Sequence, residues 1–93
     1  MGKVKVRFFG GLIEATGGKK ELDASASDIY ELLDEFVRSF GESFKERVLN
    51  NNGELRPFVN VYVNNKDIRF LDSLKTQLKE GDSIIVMPAV GGG

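Results

Sequence analysis

Ile29, Leu32, Leu33, Phe36, Val37 and Phe40 recur at helical spacing, and no other run in the chain limits the fold as tightly. They form one broad apolar stripe on a helix whose remaining positions are mostly polar, so the helix must lie across another apolar layer. Ser27 or Asp28 supplies its N-cap, with Glu31 complementing the dipole of the first turn. Gly41 stands where a left-handed C-cap is expected.

The flanking segments read as strands that this helix can cover. Val4, Val6 and Phe8 alternate with Lys5, Arg7 and Phe9, the period of two of a half-buried strand. Gly10-Gly11 ends it, Gly17-Gly18 marks a turn, and Lys19 to Leu22 reads as a short return strand. Beyond the helix, Glu42 to Leu49 reads as a shorter second helix with Phe44 and Val48 on one face. The series Phe36, Phe40 and Phe44 is read as core rather than as a ligand pocket. Asn50-Asn51-Asn52-Gly53 makes a turn.

Pro57 precedes a second alternating run, in which Val59, Val61 and Val63 share one face and Phe58, Asn60 and Tyr62 the other. Asn64-Asn65 makes a tight turn, because Asn tolerates positive φ. Ile68 and Phe70 are expected in a short edge strand, and Leu71 to Leu78 in a loop with a single helical turn. After a turn at Lys79-Glu80-Gly81-Asp82, Ser83 to Met87 is nearly all apolar and so central in its sheet. Pro88 lacks an amide donor and ends the ladder.

Hairpin, helix, hairpin and final strand make an α+β domain. The expected architecture is a β-grasp: a mixed sheet covered by one main helix, plus a short second helix, with the first and last strands parallel at its centre. One domain covers residues 1–93, with residues 88–93 as a flexible C-terminal tail.

Composition removes several kinds of chemistry. The chain has no Cys and no His, which excludes disulfides, thiolate nucleophiles and Ser–His or Cys–His catalysis. No metal site and no bound cofactor is expected. The net charge of −1 gives no electrostatic case for nucleic acid. No apolar run reaches membrane-spanning length and no export segment is visible, so a cytoplasmic protein away from membranes is expected. Lys66, Asp67 and Arg69 read as a salt-bridged hairpin end. Gly10-Gly11 is not a phosphate loop, since no Lys-Ser or Lys-Thr follows it.

The last residues are Val90-Gly91-Gly92-Gly93. Glycine has no Cβ, so such a tail can enter a channel too narrow for other residues. It suits a terminus that is itself chemically modified, and equally a frayed end. Strand alternation places Phe9, Phe58 and Met87 outward at the tail end of the sheet, as an apolar patch fit for a protein partner. The competing reading is that the segment from Gly41 to Pro57 folds over them.

Val61-Tyr62-Val63-Asn64-Asn65-Lys66-Asp67-Ile68 and the run from Leu78 through Glu80-Gly81-Asp82 to Pro88-Ala89-Val90-Gly91-Gly92 resemble the ubiquitin-like sulfur carriers MoaD and ThiS. Val4-Lys5-Val6-Arg7-Phe8-Phe9 also resembles MoaD, and the apparent second helix favours that branch. Two departures stand out: three terminal glycines where the family usually has two, and Ala89 in place of a second proline.

The resemblance implies a carrier without catalytic residues of its own. Its terminal glycine, Gly93 with Gly92 and Gly91 behind it, would be adenylated by a ubiquitin-activator-like enzyme that uses ATP. The resulting acyl-adenylate would become a thiocarboxylate, delivering sulfur to molybdopterin within a complex with a MoaE-like large subunit. Phe9, Phe58, Met87, Pro88, Ala89 and Val90 would meet the partners. The alternatives are a ubiquitin-like modifier joined to target lysines through Gly93, a ThiS-like donor for thiazole formation, and a binding module with a fortuitous tail.

Overall fold

A computed structural model describes residues 2–88 of the chain. Five strands form one mixed sheet: β1 (Gly2–Phe8), β2 (Glu21–Ala26), β3 (Val59–Val63), β4 (Lys66–Asp67) and β5 (Ser83–Pro88), in the order β2-β1-β5-β3-β4. β5 runs parallel to β1 and antiparallel to β3, the β-grasp arrangement expected from the sequence. Among the described residues three α-helices accompany the sheet: α1 (Leu12–Ala15), α2 (Ile29–Phe40) and α3 (Glu42–Val48).

α2 begins as the sequence anticipates. The Asp28 side chain accepts the Glu31 N–H at 2.8 Å, and the Glu31 carboxylate reaches back to the Ser27 N–H at 3.0 Å. Asp28 thus satisfies one donor that the first helical turn leaves free, and Glu31 ties down the residue before the cap. Gly41 has φ +86°, which turns the chain directly into α3. The apolar stripe of α2 meets the inward residues Val4, Val6, Phe8, Val59, Val61, Ile84 and Val86 in one core. Phe36 and Phe44 pack edge-on against Phe8 with ring centroids 5.4 and 6.1 Å away. Phe40 closes the same cluster while remaining partly exposed.

Two locks set the position of β5. The Asn64 side chain donates to the Asp82 carboxylate at 2.9 Å and accepts the Ser83 N–H at 3.0 Å. Gly81, at φ +88°, donates its N–H to the Lys3 carbonyl at 2.9 Å. The turn recognised as a motif in the sequence therefore ties β5 to both of its neighbours.

Four expectations are corrected. α1 was not foreseen: its single turn buries Leu12 and Ala15, too short a pattern to show a helical period. β2 runs Glu21–Ala26 rather than Lys19 to Leu22, starting two residues later and extending to Ala26, because β1 offers a partner along that whole length. Ile68 and Phe70 lie in a 3-10 turn (Ile68–Phe70), and the short edge strand is Lys66–Asp67 instead. Pro88 is not in the tail but is the last residue of β5, opposite Val59, where a missing N–H is tolerated at the end of a ladder. The other tail residues, Ala89, Val90, Gly91, Gly92 and Gly93, lie outside the described residues.

Candidate functional site

β5 brings the chain out at one end of the sheet, and its two neighbours determine what surrounds it. Phe8 pairs with Val86 across the parallel ladder, and the Phe9 N–H donates to the Val86 carbonyl at 3.2 Å. Phe9 therefore comes level with Met87. On the antiparallel side Asn60 pairs with Met87 and Val59 with Pro88, which puts Phe58 one residue beyond, at the same end. Phe9 and Phe58 keep 41% and 48% of their surface exposed, so the Gly41–Pro57 segment does not fold over them.

The three residues share an end but not one surface. Met87 stands between Pro88 and the buried Val86, and so points with Phe9 toward the open side of the sheet. Phe58 joins Pro88 in lining a shallow cavity of about 180 Å³, whose other walls are Gly11, Leu12, Arg47 and Val59. Two small apolar surfaces thus flank the end of β5, where a single patch was expected.

Four residues hold this end in shape, of which sequence reasoning names Gly10 and Arg69 in other roles and does not name Arg47 or Arg56. Gly10 has φ +60°, and a Cβ there would sit 2.9 Å from the Pro88 ring, so only glycine lets β5 leave at this angle. The Arg47 guanidinium donates to the Gly11 carbonyl at 2.9 Å, fastening α3 to the turn after β1. Arg56 lies 5.9 Å from the centroid of the Phe58 ring, a cation–π distance, and donates to the Glu46 carbonyl. Arg69 pairs with Asp67 at 3.5 Å, as the hairpin reading expected. It also reaches the Val59 carbonyl at 2.7 Å and the Asn60 side chain at 3.1 Å, bracing the entry to β3. Gly10 was visible as a strand end. Arg69 was legible only as the partner of Asp67, and Arg47 carried no local signal because it meets its partner 36 positions away in the chain.

Among the described residues no cluster of His, Cys, Asp or Glu is placed to hold a metal ion, and no helix is long and apolar enough to cross a membrane. The carboxyl of Glu21, on β2, is held below its ordinary range by the hydrogen bond from Arg7 and then by the charge of Lys5. That group belongs to the ion-paired open face of the sheet, where Lys5 lies 3.5 Å and Arg7 3.2 Å from its carboxylate.

The model of the ThiS family matches residues 6–93, which takes in nearly the whole chain. The chain belongs to the ThiS family. This ThiS-family chain is 36% identical over 80 residues to the sulfur carrier protein CysO of Mycobacterium tuberculosis, covering 84% of this chain and 85% of CysO. Its fold superimposes on the small archaeal modifier protein 1 of Methanosarcina acetivorans with a TM-score of 0.88, at 31% identity, covering 100% of this chain and 98% of that one. It also matches a chain in the BexX/CysO complex of Amycolatopsis orientalis at a TM-score of 0.82 and 37% identity, covering 97% and 99% of the two chains. The ubiquitin-like sulfur-carrier family and its β-grasp fold, expected from the sequence, are thereby established.

Proposed function

We propose that this ThiS-family chain carries sulfur on its terminal carboxylate. In this reading the Gly93 carboxylate attacks the α-phosphate of ATP on a ubiquitin-activator-like enzyme, and pyrophosphate leaves. A sulfur donor then displaces AMP, so that one carboxylate oxygen is exchanged for sulfur. Adenylation is needed because carboxylate oxygen is a poor leaving group. The partner must enclose the acyl-adenylate, because water would hydrolyse it. The carrier itself supplies no acid or base to these steps.

The observation that carries the reading is the strand end itself. β5 places Pro88 between exposed Phe9 and exposed Phe58, and the sequence continues from there as Ala89-Val90-Gly91-Gly92-Gly93. In this proposal the two apolar surfaces dock on the partner while the glycines reach its active site. Each ordered glycine opposes binding by roughly 1 kcal/mol or more of backbone entropy, so the docked body must supply most of the affinity. The likeness to a CysO chain found in complex with BexX supports a body that docks on a partner.

For the destination of the sulfur we propose molybdopterin, with a MoaE-like large subunit, on the pattern of the MoaD-like residues 4–9, 61–68 and 78–92. The likeness to a small archaeal modifier protein favours a second destination, an isopeptide bond to a target lysine, which uses the same activated glycine. One assay separates them. The full chain is supplied with its host's activating enzyme, ATP, sulfide, the MoaE-like subunit and host lysate. Sulfur appearing in the pterin supports the first destination, and chain-linked lysines without pterin sulfur support the second. Sulfur transfer by a variant extended beyond Gly93 would overturn the terminal mechanism for both.

A further inference from the structure

The two edges of the sheet are finished differently. On one side the edge strand β4 has only two residues, and the part of β3 beyond it is blocked. The Val59 N–H donates to the Arg56 carbonyl at 3.0 Å, and the Val59 carbonyl is taken by Arg69. The other edge, β2, has six residues, and among the described residues no strand lies beyond it.

The hydrogen-bond phase of β2 follows from one contact. The Phe8 N–H donates to the Lys20 carbonyl at 2.9 Å, so in an antiparallel ladder Lys20, Leu22, Ala24 and Ala26 bond inward to β1. The backbone N–H and C=O groups of Glu21, Asp23 and Ser25 therefore point away from the sheet. Beside them lies a cleft of about 430 Å³ between β2 and α2. Leu22, Ala24, Phe36 and Phe40 supply its apolar lining, and Asp23, Ser25 and Ser39, with Lys19 and Glu35, its polar lining. An open row of main-chain groups next to a trough of mixed polar and apolar lining is a geometry that accepts an added strand.

Charge selects the occupant. Lys19 and Lys20 immediately precede β2, while Asp28, Glu31 and Asp34 gather at its far end, with Glu35 lining both that end and the cleft and Arg38 already 3.1 Å from Asp34. We propose that the β2 edge binds an extended segment of a partner protein, antiparallel to β2. The segment has basic residues at its N-terminal end, alternating β-branched residues in the middle and acidic residues at its C-terminal end. Antiparallel pairing is chosen because its ladder is the more stable per residue. A second copy of the chain is a poorer occupant. Two β2 strands paired about Asp23 set that carboxylate against itself, and paired about Leu22 they set Glu21 against Asp23. This edge lies apart from the end of β5, so the inference stands independently of the carrier reading.

The test uses the full chain, labelled with nitrogen-15, without ATP or activating enzyme. The probe is a capped peptide of two lysines, a valine–threonine–valine–threonine–valine run and two aspartates, in that order. Binding should shift amide signals along residues 19–26 and the facing side of α2, and should slow hydrogen exchange at Glu21, Asp23 and Ser25. Reversing the charge order of the peptide should weaken binding about tenfold, and Glu35→Lys about fivefold. Asp23→Pro, which removes one outward N–H, should abolish the protection. If that variant does not fold, Glu35→Lys decides. No binding, shifts centred on Phe9 and Phe58, equal affinity for the reversed peptide, or no effect of Glu35→Lys would overturn the proposal. Edge protection that grows with protein concentration in the absence of peptide would overturn the choice of partner in favour of self-pairing.

Discussion

Phe8 and Phe9 are adjacent, chemically identical and used in opposite ways. Phe8 is 1% exposed at the centre of the aromatic cluster under α2, while Phe9 is 41% exposed beside the end of β5. Val86 and Met87 repeat the contrast on the neighbouring strand, the first fully buried and the second not. The covered face is built for stability and the open end is not. Apolar residues kept at the surface beside a strand terminus contribute little to folding and so point to contact with another molecule.

The largest effect that could break this contrast belongs to the covered face. Phe44 is fully buried against Phe8 and Phe36, and Phe44→Ala should cost about 3–5 kcal/mol in urea unfolding through the cavity it leaves. A loss below about 1 kcal/mol would mean the cluster is not a packed core. Next comes the brace between the two regions. Arg69→Met removes the donors to the Val59 carbonyl and the Asn60 side chain, and about 1–2 kcal/mol should be lost because the guanidinium is partly exposed. Amide shifts in that variant should concentrate at residues 56–60.

At the open end, Phe9→Ser should change stability by less than about 0.5 kcal/mol while weakening binding to the activating enzyme, measured as a Kd. A variant that unfolds instead would place Phe9 in the core. The smallest effect concerns the ion-paired face. Glu21 has a lowered pKa in the folded chain, so its stabilisation is present above the unfolded value and is lost as pH falls through the folded one. The change should be small because the group lies at the surface, where solvent screens its ion pairs. An NMR titration should place the Glu21 carboxyl below a free glutamate, and Arg7→Gln should move it upward.

The parts of this account legible in the sequence are those governed by period. The stripe of α2, the alternation of β1 and β3 and the apolar run of β5 each repeat often enough to reveal their geometry. The Asn64-Asn65 turn was legible from residue chemistry, and both residues adopt positive φ. What escaped is either too short or too distant. α1 makes a single turn, and Ile68 and Phe70, two apart in sequence, imitate a strand while forming a 3-10 turn. At the site, alternation placed Phe9 and Met87 on the open side but could not follow Phe58, which precedes the regular part of β3 and turns toward Pro88. Arg47 and Arg69 act across gaps in sequence that only the tertiary fold closes.

The central claim is that the chemistry resides on the terminal glycine, and intact mass measures it most directly. The full chain is incubated with ATP, its host's activating enzyme and sulfide, then weighed. The account predicts a gain equal to the exchange of one oxygen for one sulfur, confined to the C-terminal peptide. An unchanged mass, with an activating enzyme shown to turn over its own carrier, would contradict it.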